Sequence, residues 1–182
     1  MCLEIGLIPT TFFIYKNQKG YGEGEVTATE TVVNFLTAYQ SCDSSAAQYL
    51  IAMDSESNGI EFEGFQMILA QNIKYNVLSV EENVSQEYVV LVEITNTDFG
   101  SVFDSLITSA KDTVTDTELL EQLKLALCNS DAPTRKFECE ILVRKDTDGK
   151  YRIQMQDTLS NALLGGYNEY INFFIYSSIP EE

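Results

Sequence analysis

From Phe99 to Ala110 apolar residues recur at i, i+3, i+4, i+7, i+8 and i+11, as Phe99, Val102, Phe103, Leu106, Ile107 and Ala110. That spacing puts all six on one stripe of an α-helix, which has to be buried against something else. Asp98 stands where an N-cap carboxylate would take the first free backbone N–H groups. On either side of this helix the period changes from 3.6 to 2. Ile73 to Glu82 and Gln86 to Thr95 read as paired strands, with Tyr88, Val90, Val92 and Ile94 on one face. Further on, Thr134 to Lys145 alternates Phe137, Cys139, Ile141 and Val143 with charged residues. It then turns through Asp146-Thr-Asp-Gly149 into Lys150 to Gln156, where Tyr151, Ile153 and Met155 face inward.

The remaining segments are helical. Thr27-x-x-Glu30 reads as a capping box for a helix carrying Val32, Val33, Leu36 and Tyr39. Asp43 is expected to cap a short second helix that turns Ala47, Leu50 and Ile51 inward. Phe62, Phe65, Ile68 and Leu69 suggest a third. Thr115-x-x-Glu118 opens another helix with Leu119, Leu120, Leu123 and Leu127. Thr158 to Leu164 makes a last short helix, ended by Gly165 in the left-handed position. Helices first, then strands interrupted by a helical excursion, then a hairpin make an α+β fold: a curved antiparallel sheet wrapped over N-terminal helices. Residues 1–25 form an apolar segment and a Gly-rich linker, 26–166 the domain, and 167–182 an apolar tail. Within that tail, Tyr170 to Tyr176 (YINFFIY) is apolar enough for a final strand or a contact surface.

Composition removes several function classes. Lys and Arg total 11 against 28 Asp and Glu, a formal net charge of −17, which repels phosphate backbones. Nucleic acid is not an expected partner. There is no histidine, which rules out Ser-His-Asp triads, Cys-His dyads and histidine-ligated zinc. Cys2, Cys42, Cys128 and Cys139 contain no C-x-x-C pair. Cys139 shares a face with core residues. A Cys128 to Cys139 disulfide suits an oxidising compartment, and spacing leaves it open. No cofactor is expected. Residues 5–15 (IGLIPTTFFIY) are shorter than the roughly 20 residues a spanning helix needs, and no basic residue precedes them. Neither a transmembrane segment nor a signal peptide is expected from them.

Asp54-x-Glu56-x-Asn58-Gly59 matches the opening of a calcium loop, but the position that needs a bidentate glutamate is Phe65. Asp54, Glu56 and Asn58 therefore remain only as an incomplete metal set, read as a solvated acidic loop. Asp146-x-Asp148-Gly149 is read as hairpin chemistry.

Four stretches carry a resemblance: Val92 to Asn96, Asp98-Phe99 opening a helical insertion, Asp148 to Ile153 (DGKYRI), and Leu159 to Gly166 (LSNALLGG). From about Thr27 to Gly166 the chain resembles the cystatin-like or nuclear-transport-factor-two-like cone fold. More narrowly, it is similar to poorly characterised lipoproteins of Gram-positive bacteria. Such relatives place Trp where Tyr151 stands. The resemblance implies a secreted or envelope location and a small molecule held at the mouth of the cone. With tryptophan absent, that mouth would be lined by Phe35, Tyr39, Tyr49, Phe65, Tyr75, Tyr88 and Tyr151. Isomerase-like chemistry on this fold needs a carboxyl group inside the cone, and the inward strand positions carry apolar groups and Tyr instead. The expectation is a non-catalytic binding domain for a small apolar ligand or a protein. The alternatives are a structural dimerising module of a cell-envelope protein, in which YINFFIY pairs two subunits at a sheet edge, and, behind it, a Tyr/Asp isomerase-like enzyme.

Overall fold

A computed structural model of the chain describes residues 22–51, 60–83, 87–110 and 114–177. The fold is α+β, with one four-stranded sheet in the order β1-β2-β3-β4. The strands are β1 (Lys74–Glu82), β2 (Tyr88–Thr97), β3 (Thr134–Lys145) and β4 (Tyr151–Ile153), each antiparallel to its neighbour. Tyr88, Val90, Val92 and Ile94 alternate onto the buried face, as the period-2 pattern requires, opposite Cys139, Ile141 and Val143 of β3. The β1–β2 register shifts between Val77 and Ser79, and Leu78 at the irregularity is left partly exposed.

Helix α1 (Glu23–Gln40) lies across the buried face and packs against all four strands. Ala28, Val32, Phe35, Leu36 and Tyr39 form its inward stripe. Thr27 is not its cap. Gly22 takes that place, with Glu25 accepting a hydrogen bond from the Gly22 backbone N at 2.6 Å. Glu23 and Glu25 favour the positive end of the helix dipole, so the helix starts one turn earlier and absorbs Glu23 to Glu25 of the expected linker. Thr27 bonds Glu23 O at 2.8 Å from inside the first turn.

Asp43 does cap the next element, accepting from Ser45 N at 2.8 Å, but that element is a 3₁₀ helix (Ser44–Tyr49). Its tighter turn makes Ala46 the enclosed residue, while Ala47, Leu50 and Ile51 are half-buried. Just beyond, Ile51 N bonds Ile153 O at 2.9 Å and closes off the β4 edge.

A second apolar cluster sits beyond the C-terminal end of β2, built from α2 (Gly64–Asn72), α3 (Phe99–Ser109) and α4 (Asp116–Leu127). Asp98 caps α3 through Ser101, and Thr115 and Glu118 close the capping box of α4. Leu69, Phe99, Val102, Leu123 and Leu127 are its buried centre. Helix α5 (Asp157–Leu163) packs on β2 and β3, with Leu159, Ala162 and Leu163 in the main core beside α1. The tail is neither strand nor free surface at its start. It is helix α6 (Tyr167–Ser177), with Tyr167 and Tyr170 packed on Phe99. Gly165 and Gly166, at φ +60° and +85°, turn the chain back so that those two rings reach the cluster. A tail in this conformation does not add to a sheet edge. Among the described residues no helix is long and apolar enough to cross a membrane.

Candidate functional site

The seven aromatic residues expected to line one mouth are distributed over three environments. Phe35 is fully enclosed and Tyr39 nearly so, ring to ring at 5.9 Å, with Phe62 5.0 Å beyond Tyr39. Burial, helped by the nearby Cys42 thiol, pushes the Tyr39 phenol up to about 12. Tyr75 is half-buried and exchanges a 2.8 Å hydrogen bond with Thr37, while Tyr49 packs at the rim of the main core. Phe65 belongs to the second cluster, 5.4 Å from Phe99 and 5.2 Å from Tyr167. Tyr88 and Tyr151 meet at an opening, edge to face with ring centres 5.6 Å apart.

Their meeting follows from strand register. Tyr88 opens β2 opposite Val143, and Tyr151 opens β4 opposite Lys145, so both rings stand at the same end of the sheet. The first turn of α1 arrives at that end too. A cleft of about 340 Å³ results, lined by Glu23, Gly24 and Thr27 of α1, Glu82 of β1, Tyr88, Lys145 and Tyr151. Gly24 is required here, because a β-carbon would overlap the Tyr88 hydroxyl. The Lys145 ammonium lies 5.2 Å from the centre of the Tyr151 ring. Burial first, then the hydrogen bond and nearby phenol of Tyr151, then the carboxylates of Glu82 and Glu25 push the Tyr88 phenol up to about 12. At neutral pH it is therefore a hydroxyl, able to donate and accept but not to act as a base.

Five of the seven lining residues were not expected at a site, and Thr27 among them was read as a helix cap. Gly24 and Glu23 sat in a stretch that reads as linker, and Glu82 and Lys145 are strand-end charges that read as solvated. The available signal was positional: all are at termini that the strand pairing brings to one end.

The other candidates have different fates. Asp54, Glu56 and Asn58 lie outside the described residues. Asp146 and Asp148 already hold a cation, since Arg152 Nε meets Asp146 and Arg152 Nη2 meets Asp148, each at 3.0 Å, and Nη1 donates to Gln48 O. The Lys150 backbone N–H, outweighing some desolvation and aided by Arg152, holds the Asp148 carboxyl below the usual range. Cys128 is exposed and Cys139 buried, and both are free thiols, so they form no disulfide with each other. Burial pushes the Cys139 thiol up to about 11, which makes it a core residue and not a nucleophile. Among the described residues no three Cys, Asp or Glu side chains come together as a metal set. The cleft offers phenol hydroxyls, one aromatic face, carboxylates and an ammonium: groups that hold a guest by contact and hydrogen bonding. Comparison of the chain with family models, with curated proteins and with solved structures finds no match.

Proposed function

We propose that this chain is a non-catalytic binding domain that holds a small, partly apolar molecule in the cleft between the start of α1 and the open end of the sheet. The observation that carries this reading is the Tyr88–Tyr151 pair, two rings edge to face at 5.6 Å that line a 340 Å³ opening. The lining favours binding over turnover, because it presents neither thiol nor imidazole and its buried phenol stays protonated at neutral pH. The resemblance to cystatin-like and nuclear-transport-factor-two-like domains agrees with a ligand at the mouth of the cone, and it extends the proposal to a secreted or envelope-lipoprotein setting.

Native mass spectrometry of the full chain against a small-molecule library tests the reading, with tyrosine fluorescence as a second readout, since no tryptophan contributes to the emission. A bound species that disappears in Tyr151→Ala is expected. Binding that survives Tyr151→Ala would move the site elsewhere.

A second reading has its own observation. Ile107 and Leu120 on the helical insertion are 48% and 43% exposed, and Leu125 is 73% exposed. We infer from them a homodimer formed through the helical layer instead of a sheet edge. Sedimentation of the chain and of Leu125→Glu separates the cases: a dimer that Leu125→Glu dissociates supports it, and a monomer throughout removes it.

A further inference from the structure

The face of the Tyr151 ring is already in use. Lys145, its cross-strand partner, holds its ammonium 5.2 Å from the ring centre, the geometry of a cation–π contact. Around this pair the cleft presents two carboxylates, Glu23 from the first turn of α1 and Glu82 from the end of β1. Glu82 faces Tyr88 directly across the β1–β2 ladder. Tyr88 is only 6% exposed, so the ring backing Tyr151 is fixed in place. The lining thus offers one aromatic face, two acids and one tethered cation, in a chain of formal net charge −17. An anion entering it meets two like charges for each opposite one. A neutral apolar guest leaves both carboxylates unused. A cation gains from the acids and from the ring, provided that the Lys145 ammonium moves off. Lys145 is exposed on the last residue of β3, and its flexible four-carbon stem permits that movement.

We propose that the cleft takes an organic ammonium, a small alkyl or aromatic amine in protonated or quaternary form, and that Lys145 occupies the guest's place until displaced. This deepens the binding-domain reading and rests on it. The tethered ammonium acts as an internal competitor, setting a threshold that the guest has to exceed.

The test is a titration of the full chain with benzyltrimethylammonium at low ionic strength, followed by NMR shifts of the tyrosine rings, with benzoate as the anionic comparator. Saturable binding of the cation is expected in the wild type. Lys145→Met, which keeps the stem and removes the competitor, is expected to tighten it about fivefold, the scale of one partly desolvated cation–π contact. Lys74→Met, at the far end of β1, makes the same change in net charge and is expected to leave the affinity nearly unchanged. Equal tightening in both variants would show only the bulk field of an acidic protein and overturn the proposal. Tyr151→Leu leaves the net charge as it is and is expected to abolish saturable binding, so retained affinity would also overturn it. Benzoate bound in preference to the cation, and lost in Lys145→Met, would reverse the assignment. Circular dichroism confirms that each variant is folded, and Lys145→Gln repeats the measurement with a second neutral side chain. A neutral library compound that needs Tyr151, with no ammonium bound, ends this proposal and leaves the binding-domain reading standing. No Tyr151-dependent ligand of any kind ends both.

Discussion

Gly165 lies so close to the main chain of Thr97 that a β-carbon at position 165 would overlap the Thr97 carbonyl oxygen. The same glycine holds φ +60°, and its own carbonyl accepts a 3.0 Å bond from Phe99 N. One residue therefore joins the end of α5 to the point where β2 hands over to α3. Gly165→Ala meets both the left-handed backbone cost and a steric overlap with main chain that has no room to yield. A loss of about 2–4 kcal/mol is expected, read as a lower urea midpoint at unchanged slope. Gly149→Ala is the comparison: φ is +79° but nothing stands within 4 Å, so only the backbone cost of about 1 kcal/mol applies.

The left-handed role of Gly165 was legible in the sequence because it depends on one residue and its helix. The contact with Thr97 was not, because it depends on where two distant segments meet. The same distinction runs through the molecule. Alternation along Tyr88 to Ile94 and Phe137 to Val143 gave the strands, and the stripe from Phe99 gave α3, because each is a local period. The start of α1 was misplaced because Thr27 and Glu30 fit the capping pattern, whereas Gly22 has no side chain to accept a bond and is held only through its backbone N–H to Glu25. The sequence does not show that Glu23 and Glu25 extend the helix to meet Tyr88. YINFFIY looked strand-like from its β-formers, yet it continues a helix that starts at Tyr167, where Tyr167 and Tyr170, one turn apart, both pack on Phe99. The cleft was the least legible feature. Its walls come from five strand and helix ends, and only the register brings Glu82, Tyr88, Lys145 and Tyr151 together.

Cys42 is the one described non-glycine residue with positive φ, at +53°, immediately after α1. Asp43 N bonds Ala38 O at 2.9 Å, the closing bond of a Schellman turn, whose left-handed position normally belongs to glycine. Cys42→Gly relieves about 1 kcal/mol of backbone strain and gives up part of it through the lost side-chain packing. A net gain of about 0.5 kcal/mol is expected, measured as a rise in the urea midpoint.

Asn96 is fully buried at the sheet's junction with α5. Its amide donates to Ala162 O at 3.2 Å and Leu163 O at 2.9 Å, and its oxygen accepts from Thr97 N at 2.8 Å. Asn96→Ala takes its side-chain donor from Leu163 O and one of two donors from Ala162 O, which Gly165 N also bonds at 3.1 Å, and is expected to cost about 3 kcal/mol. Asn96→Asp keeps the shape and adds a buried acid whose folded pKa lies above its unfolded one. Stability from such a group is present below the unfolded value and lost as pH rises. The deficit of Asn96→Asp relative to wild type should therefore be larger at pH 7 than at pH 4, and an equal deficit at both would show that the site is wetter than its burial implies.

Alkali should unfold this protein through its phenols. Burial is the leading cause that pushes Tyr39, Tyr88 and Tyr170 from 10.0 to about 12, and Tyr170 is further raised by its bond to the Asp104 carboxylate. In the unfolded chain each phenol ionises near its ordinary value of about 10. Between pH 10 and 12 the folded state thus retains protons that the unfolded state has released, and the sign of the linkage makes stability fall as pH rises. Below pH 10 the contribution is complete and flat. Melting temperature should decline over that window, with part of the tyrosinate absorbance appearing only as the fold is lost. Tyr39→Phe removes one of the three groups and should make the decline shallower without moving its onset. An unchanged slope would show that Tyr39 ionises in place, reached by solvent that its packing against Phe35 and Phe62 is expected to exclude.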